Sequence, residues 1–146
     1  MTLPRGAEGQ KLPTIIYPHG GPYARTTDSF DPWVQYFVAK GYAVLEPNFR
    51  GSTGYGDEFM LAGYEEWGED MQNDLDDGLA WMVYEGIADP KRVCMVGGSY
   101  GGYAALVAAY KQPEKFKCAV AFAPVTDIAE LVRSQRRFVA IQDLPV

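Results

Sequence analysis

Lys91 to Gln112 reads KRVCMVGGSYGGYAALVAAYKQ, and the rest of the chain is organised around it. Val93-Cys94-Met95-Val96 is a short apolar run of the kind a strand buried on both faces requires. It breaks at Gly97-Gly98-Ser99-Tyr100-Gly101-Gly102. A small-residue run with Ala104, Ala105, Leu106 and Ala108 follows, helical in character, until Pro113 closes it. Strand, sharp turn, helix is the context in which G-x-S-x-G forms a nucleophile elbow. Such a turn predicts a positive φ at Ser99 and a hydroxyl projected above the sheet edge. Gly97 and Gly101 flank it because strand and helix approach too closely there for side chains. A glycine-rich turn with a capping serine is the plainer alternative. The β-type run before and the helical run after favour the elbow, and Ser99 is the candidate nucleophile.

The chain has 146 residues, one domain's worth and enough for a sizeable core. Its hydrophobic content of 47% and aromatic content of 14% fit a globular α/β protein and exclude disorder. A net charge of -6 argues against nonspecific nucleic-acid binding. Of the 19 acids, 11 lie between Gly51 and Pro90, where no Lys or Arg occurs, and they read as a solvated face. No apolar run is long enough to span a membrane. The leading MTLPRGAEGQKLP lacks the apolar centre of a signal peptide, so the cytoplasm is the expected location. Cys94 and Cys118 sit in apolar strand-like runs and read as buried, reduced thiols. One histidine, His19, and no Cys or His pair at ligand spacing leave nothing that calls for a metal or cofactor.

Met1 to Leu12 reads as an exposed leading segment. Thr14-Ile15-Ile16-Tyr17 is a strand running into Pro18-His19-Gly20-Gly21-Pro22, a loop whose prolines and glycines cannot continue a ladder. Asp31-Pro32 supplies an N-cap and a first-turn proline for a helix with Trp33, Tyr36 and Phe37 as its apolar face, ended by Gly41. Tyr42-Ala43-Val44-Leu45 is a second buried strand, ended by Pro47, and Asn48 to Gly56 is a turn-rich loop. Met71, Leu75, Leu79, Met82 and Val83 lie on one face of a helix spanning Glu69 to Tyr84. Cys118 to Ala123 makes a fourth strand, stopped by Pro124. From Thr126 to Val146 a basic cluster (Arg133, Arg136, Arg137) mixes with apolar residues and has no clear partner. Four buried strands alternating with helices imply an α/β fold with a mostly parallel sheet and right-handed crossovers.

A serine attacking an acyl carbon needs hydrogen-bond donors for the developing oxyanion. One is the Tyr100 N–H at the start of the elbow helix. A second fits the glycine-rich loop His19-Gly20-Gly21-Pro22, where bare backbone can come close to substrate. Gly21 N–H is the candidate.

HGGP, NFRGSTGYG, Trp67-Gly68-Glu69-Asp70, GGSYGGY and AFAPVTD occur in an order and spacing that resembles the catalytic domain of the prolyl oligopeptidase family of serine peptidases. The likeness is greatest to the acylaminoacyl-peptidase and dipeptidyl-peptidase branch, and it covers about residues 12 to 128. It implies an α/β-hydrolase fold, peptide substrates, Ser99 as nucleophile, and Gly21 and Tyr100 as oxyanion donors. It also implies that the Tyr42–Leu45 strand lies at one edge, next to the HGGP strand, followed by the elbow strand and the Cys118 strand.

The chain departs from that family in one respect. The resemblance implies a triad running Ser, Asp, His, with the last two well downstream, yet the chain ends 47 residues after Ser99 with no histidine there. His19 belongs to the oxyanion loop, and Asp127 reads as a turn or capping residue. The expectation is therefore a partial catalytic domain over residues 1–146, nearly inert by itself. No propeller of the family's kind is expected within it. A carboxylesterase is the alternative within enzymes, since HGG loops and G-x-S-x-G elbows serve esterases too. A non-catalytic module completed by a partner chain is the alternative outside them. The open sheet edge left at the Cys118 strand predicts self-association.

Overall fold

The computed structural model describes residues 1–142. Each apolar run becomes a strand: β1 (Leu12–Ile16), β2 (Ala43–Leu45), β3 (Ala88–Gly98) and β4 (Cys118–Phe122). They form one parallel sheet in the order β2-β1-β3-β4, the order the resemblance implies. Between the strands run α1 (Pro32–Ala39), α2 (Asp57–Leu61), α3 (Asp70–Tyr84) and α4 (Tyr100–Lys111), and α5 (Ile128–Gln142) follows β4.

Side chains alternate across the sheet, so each strand feeds two layers. On one face Ile16, Val93 and Met95 pack with Met71, Leu75, Leu79 and Met82 of α3 and with Ala104, Ala105 and Ala108 of α4. The α3 stripe is the one its helical spacing gave. On the other face Ile15 and Val44 meet Val34 of α1, with Phe37 half-buried beside them. That corrects the reading of α1, for Trp33 and Tyr36 are more than half exposed and Val34 carries the burial. Asp31 does cap the helix, accepting from the Trp33 and Val34 N–H groups at 2.7 and 3.1 Å.

Three further readings need correction. Cys94 and Cys118 are disulfide-bonded, with a Cα–Cα distance of 4.7 Å, not reduced and buried. Parallel pairing of β3 and β4 puts the two directly opposite one another in register. Sequence spacing carries no such register. The fourth strand is not buried on both faces: β4 alternates exposed and half-buried positions, because it is the sheet's edge and no element among the described residues covers its α1-side face. The leading segment is also more than an exposed tail, since Thr2 exchanges two backbone hydrogen bonds with Val44 and closes the β2 edge. The open backbone edge among the described residues is therefore that of β4. Residues 143–146 of the basic and apolar tail lie outside the described residues; the rest of it forms α5, capped by the Asp127 side chain, which accepts from the Glu130 N–H at 2.9 Å.

Candidate active site

β3 and α4 are joined by a single residue, Ser99, at φ 56° and ψ −119°. A non-glycine residue with that φ is strained by about 1–3 kcal/mol, and the turn holds it from several sides. The Ser99 N–H donates to the Phe122 carbonyl of β4 at 3.1 Å, and its own carbonyl accepts from Tyr103 at 3.0 Å. The side chain is exposed at the sheet's C-terminal edge.

The glycines around it are set by close approach. A Cβ on Gly97 would strike the Gly101 backbone, and a Cβ on Gly101 would strike the Pro18 carbonyl. The first contact is the strand–helix crowding expected from the motif. The second is a different one, the helix start pressed against the β1 loop. That same loop reaches the elbow: a Cβ placed on Gly20 would lie 3.5 Å from Ser99 Cβ and from the Gly98 carbonyl. Gly21 follows at φ 128°, where its Cβ would sit 2.8 Å from the Tyr23 nitrogen, so no other residue fits without a shift.

Ser99, the HGGP loop and the first turn of α4 are thus brought together as the sequence suggested. Among the described residues neither the Gly21 N–H nor the Tyr100 N–H has a backbone acceptor. For Tyr100 this follows from its position, since the first N–H groups of a helix have no intrahelical partner. The Tyr100 side chain turns inward, 1% exposed, edge-on to Trp67 with ring centroids 4.7 Å apart and near Phe49 at 5.3 Å. Burial pushes its phenol well above the usual tyrosine range, so it stays protonated.

NFRGSTGYG buttresses the loop, a role the sequence did not reveal. Asn48 Oδ1 accepts from the Thr26 N–H at 2.8 Å, its Nδ2 donates to the Thr26 carbonyl at 3.1 Å, and Thr53 N–H donates to the Ala24 carbonyl at 2.9 Å. Arg50 then pins the motif to α3. Its Nε and Nη2 fork onto Asp74 at 2.8 and 2.7 Å, and its Nη1 reaches Asp70 at 2.6 Å. Several acids of the supposed solvated face are therefore structural, serving bases from outside their own stretch. Lys111 reaches Glu69 and Lys115 reaches Asp76 in the same way.

His19 is fully engaged. Its Nδ1 lies 2.7 Å from the Gly20 carbonyl, its Nε2 lies 2.9 Å from Ser52 Oγ, and its ring stacks on Phe49 at 4.4 Å. It holds the loop and does not face Ser99 as a base. Among the described residues no group of three or more His, Cys, Asp or Glu could hold a metal ion.

A parallel sheet with helices on both faces and a serine at a strained strand–helix turn defines the α/β-hydrolase fold. The family description "Prolyl oligopeptidase family" matches residues 28–139, and the chain belongs to that family. It is 41% identical over 127 residues to dipeptidyl aminopeptidase BIII of Pseudoxanthomonas mexicana, covering 82% of this chain and 18% of that one. It is 34% identical over 124 residues to the acylamino-acid-releasing enzyme of Arabidopsis thaliana, covering 85% of this chain and 16% of that one. Among solved structures, a Mycobacterium tuberculosis puromycin-hydrolyzing peptidase superposes with a TM-score of 0.80 at 33% identity, over 86% of this chain and 19% of that one. The chain thus spans under a fifth of the length of these relatives.

Proposed function

We propose that this chain carries the nucleophile and oxyanion half of a serine peptidase acting on short peptides. The observation that carries the reading is Ser99, exposed at φ 56° where β3 meets α4, with the HGGP loop packed against it. In this reading Ser99 Oγ attacks the scissile carbonyl carbon, and the carbonyl oxygen takes up the displaced electron pair. The N–H groups of Gly21 and Tyr100 stabilise that oxyanion. Collapse expels the amine, which leaves with a proton, and water then releases the acid from the acyl-serine. Both transfers need a base to take and return the serine proton. His19 is committed to Gly20 and Ser52, so the described residues offer Ser99 neither a histidine base nor an acid to orient one. Without them, turnover falls to the level that binding and the oxyanion hole sustain alone, about 10³–10⁴-fold over water.

Two of the matched relatives carry peptidase names, which favours peptides over esters as substrates. A graft tests the reading. This chain's residues 12–128 replace the matched segment of the Pseudoxanthomonas mexicana enzyme. The graft should hydrolyse dipeptidyl p-nitroanilides, and Ser99→Ala should abolish that activity. A folded graft whose turnover survives Ser99→Ala would remove Ser99 from the mechanism.

The β4 edge supports a second proposal, that the chain made by itself self-associates. Val120 and Phe122 are 50% and 68% exposed beside an unpaired row of backbone groups. Val120→Lys should shift sedimentation toward monomer, because an edge lysine opposes strand pairing. The non-catalytic module completed by a partner chain would use this edge too, and a folded graft without turnover would point to it. For the compartment, the cytoplasmic expectation meets the Cys94–Cys118 bond, and disulfides persist in oxidising compartments. Counting thiols on acid-quenched protein decides: two for the cytoplasm, none for an oxidising compartment. No helix among the described residues is long and apolar enough to cross a membrane.

A further inference from the structure

The contacts of His19 contain more hydrogen-bond acceptors than a neutral imidazole and one hydroxyl can serve. The Gly20 carbonyl, 2.7 Å from Nδ1, can only accept, so Nδ1 carries a proton. The Phe49 carbonyl can likewise only accept, and it lies 2.6 Å from Ser52 Oγ, which claims that hydroxyl's one proton. The 2.9 Å contact between Ser52 Oγ and Nε2 then lacks a proton unless Nε2 brings its own. A neutral ring leaves one of three close contacts unmade, whereas an imidazolium completes all three. The Phe49 ring, stacked at 4.4 Å and 16°, offers its face to that cation.

We infer that His19 is a positioning residue of the oxyanion loop that works through its second proton. Nδ1–H holds the Gly20 carbonyl at every pH, and protonation of Nε2 completes the chain from Gly20 through Ser52 to Phe49. The HGGP loop, anchored at the residue before the candidate donor Gly21, is then clamped to the NFRG loop. Below the transition the loop is locked; above it, one hydrogen bond is lost and Gly20 and Gly21 loosen. Burial opposes the charged ring and the Gly20 hydrogen bond favours it, with burial the larger effect. Tyr17, Arg25, Asp31 and Glu46 line a cavity of about 300 Å³ with His19. The Asp31 carboxylate is taken by the N–H groups of α1, and burial raises Glu46 toward its neutral form. On the other side, Arg50 next to Phe49 is neutralised by Asp70 and Asp74, and the buried Tyr100 phenol is uncharged. None of these is a hydrogen-bond partner of the ring.

The relevance to the oxyanion rests on the function proposed above; the proton chain itself does not, and its test needs no turnover. The chain has one histidine, so ¹⁵N-histidine labelling gives one ring to follow. It can be followed in solution, or by magic-angle spinning of sedimented protein if the chain self-associates. At high pH the neutral ring should be the Nδ1–H tautomer, and on acidification Nε2 should gain a proton with a midpoint below ~6.5. The Gly20 and Gly21 amide signals should move with the same midpoint. Ser52→Ala removes the acceptor at Nε2 and should lower that midpoint by about one pH unit, a tenfold loss of proton affinity. An Nε2–H tautomer at high pH, or Gly20 and Gly21 amides that ignore the ring's transition, would overturn the inference in the unsubstituted chain alone.

Discussion

Gly101→Ala sets two effects of known size against each other. Gly101 is the second residue of α4, and alanine there gains helix propensity of up to about 1 kcal/mol over glycine. The new methyl, however, would overlap the Pro18 carbonyl oxygen and lie 3.1 Å from the Pro18 carbonyl carbon and 3.3 Å from the His19 oxygen. All three are backbone atoms of the loop end of β1, so nothing flexible can yield. Forcing such a contact costs typically 1–3 kcal/mol and occasionally more. The expected net loss is about 1–2 kcal/mol. Gly78→Ala in α3 is the matched control, since its methyl meets only the flexible Leu45 Cδ2 at 2.9 Å. There the propensity gain should prevail or cancel. Urea unfolding of the two variants, followed by tryptophan fluorescence, separates the cases. With slopes of about 1–3 kcal/mol/M, Gly101→Ala should lower the midpoint by roughly 0.5–1 M while Gly78→Ala leaves it unchanged or raised. Equal midpoints for Gly101→Ala and the unsubstituted chain would refute the claim that α4 and the HGGP loop are in backbone contact.

Reducing the Cys94–Cys118 bond, which spans a sequence separation of 24, should cost roughly 3 kcal/mol of stability through loop-closure entropy, read as a lower urea midpoint in dithiothreitol. Arg50→Lys keeps the charge but not the fork onto Asp74, and should lose about 1–2 kcal/mol while raising amide exchange in the NFRGSTGYG loop. Because burial lowers the His19 pKa, the unfolded chain binds a proton near ~6.5 that the folded chain resists. Stability should therefore be flat above that pH, fall as pH drops through it, and level off once the folded value is passed. Chemical denaturation at a series of pH values checks the sign, and His19→Gln should flatten the curve.

The elbow, the strands and the α3 stripe were legible because each is written in local pattern: glycine spacing, apolar runs, a 3.6-residue repeat; the order of the strands was legible only through the family resemblance. Ser99 was legible for a second reason, since only strand-then-helix context makes its backbone strain necessary. The disulfide was not legible, because it depends on which residue of β4 stands opposite Cys94, a register that no sequence spacing encodes. Burial along β4 was misread because an apolar run says what a strand could cover, not what lies over it. Arg50's hold on Asp70 and Asp74 links residues 20 and 24 apart, and in sequence those acids look like any charged helix surface. α2 is five residues long with no side-chain cap, too short for periodicity to mark it.

Covalent trapping of Ser99 tests the central claim, that this half-site is assembled without its base. The proposed oxyanion hole alone should still favour attack at Ser99, so a fluorophosphonate should label it slowly and selectively, as read by peptide mass mapping. Label should appear on Ser99 and not on Ser29, Ser52 or Ser134, be lost in Ser99→Ala and be slowed when Gly20→Val displaces the loop. Label spread over the exposed serines without preference for Ser99, or a Ser99 rate indifferent to Gly20→Val, would contradict that claim.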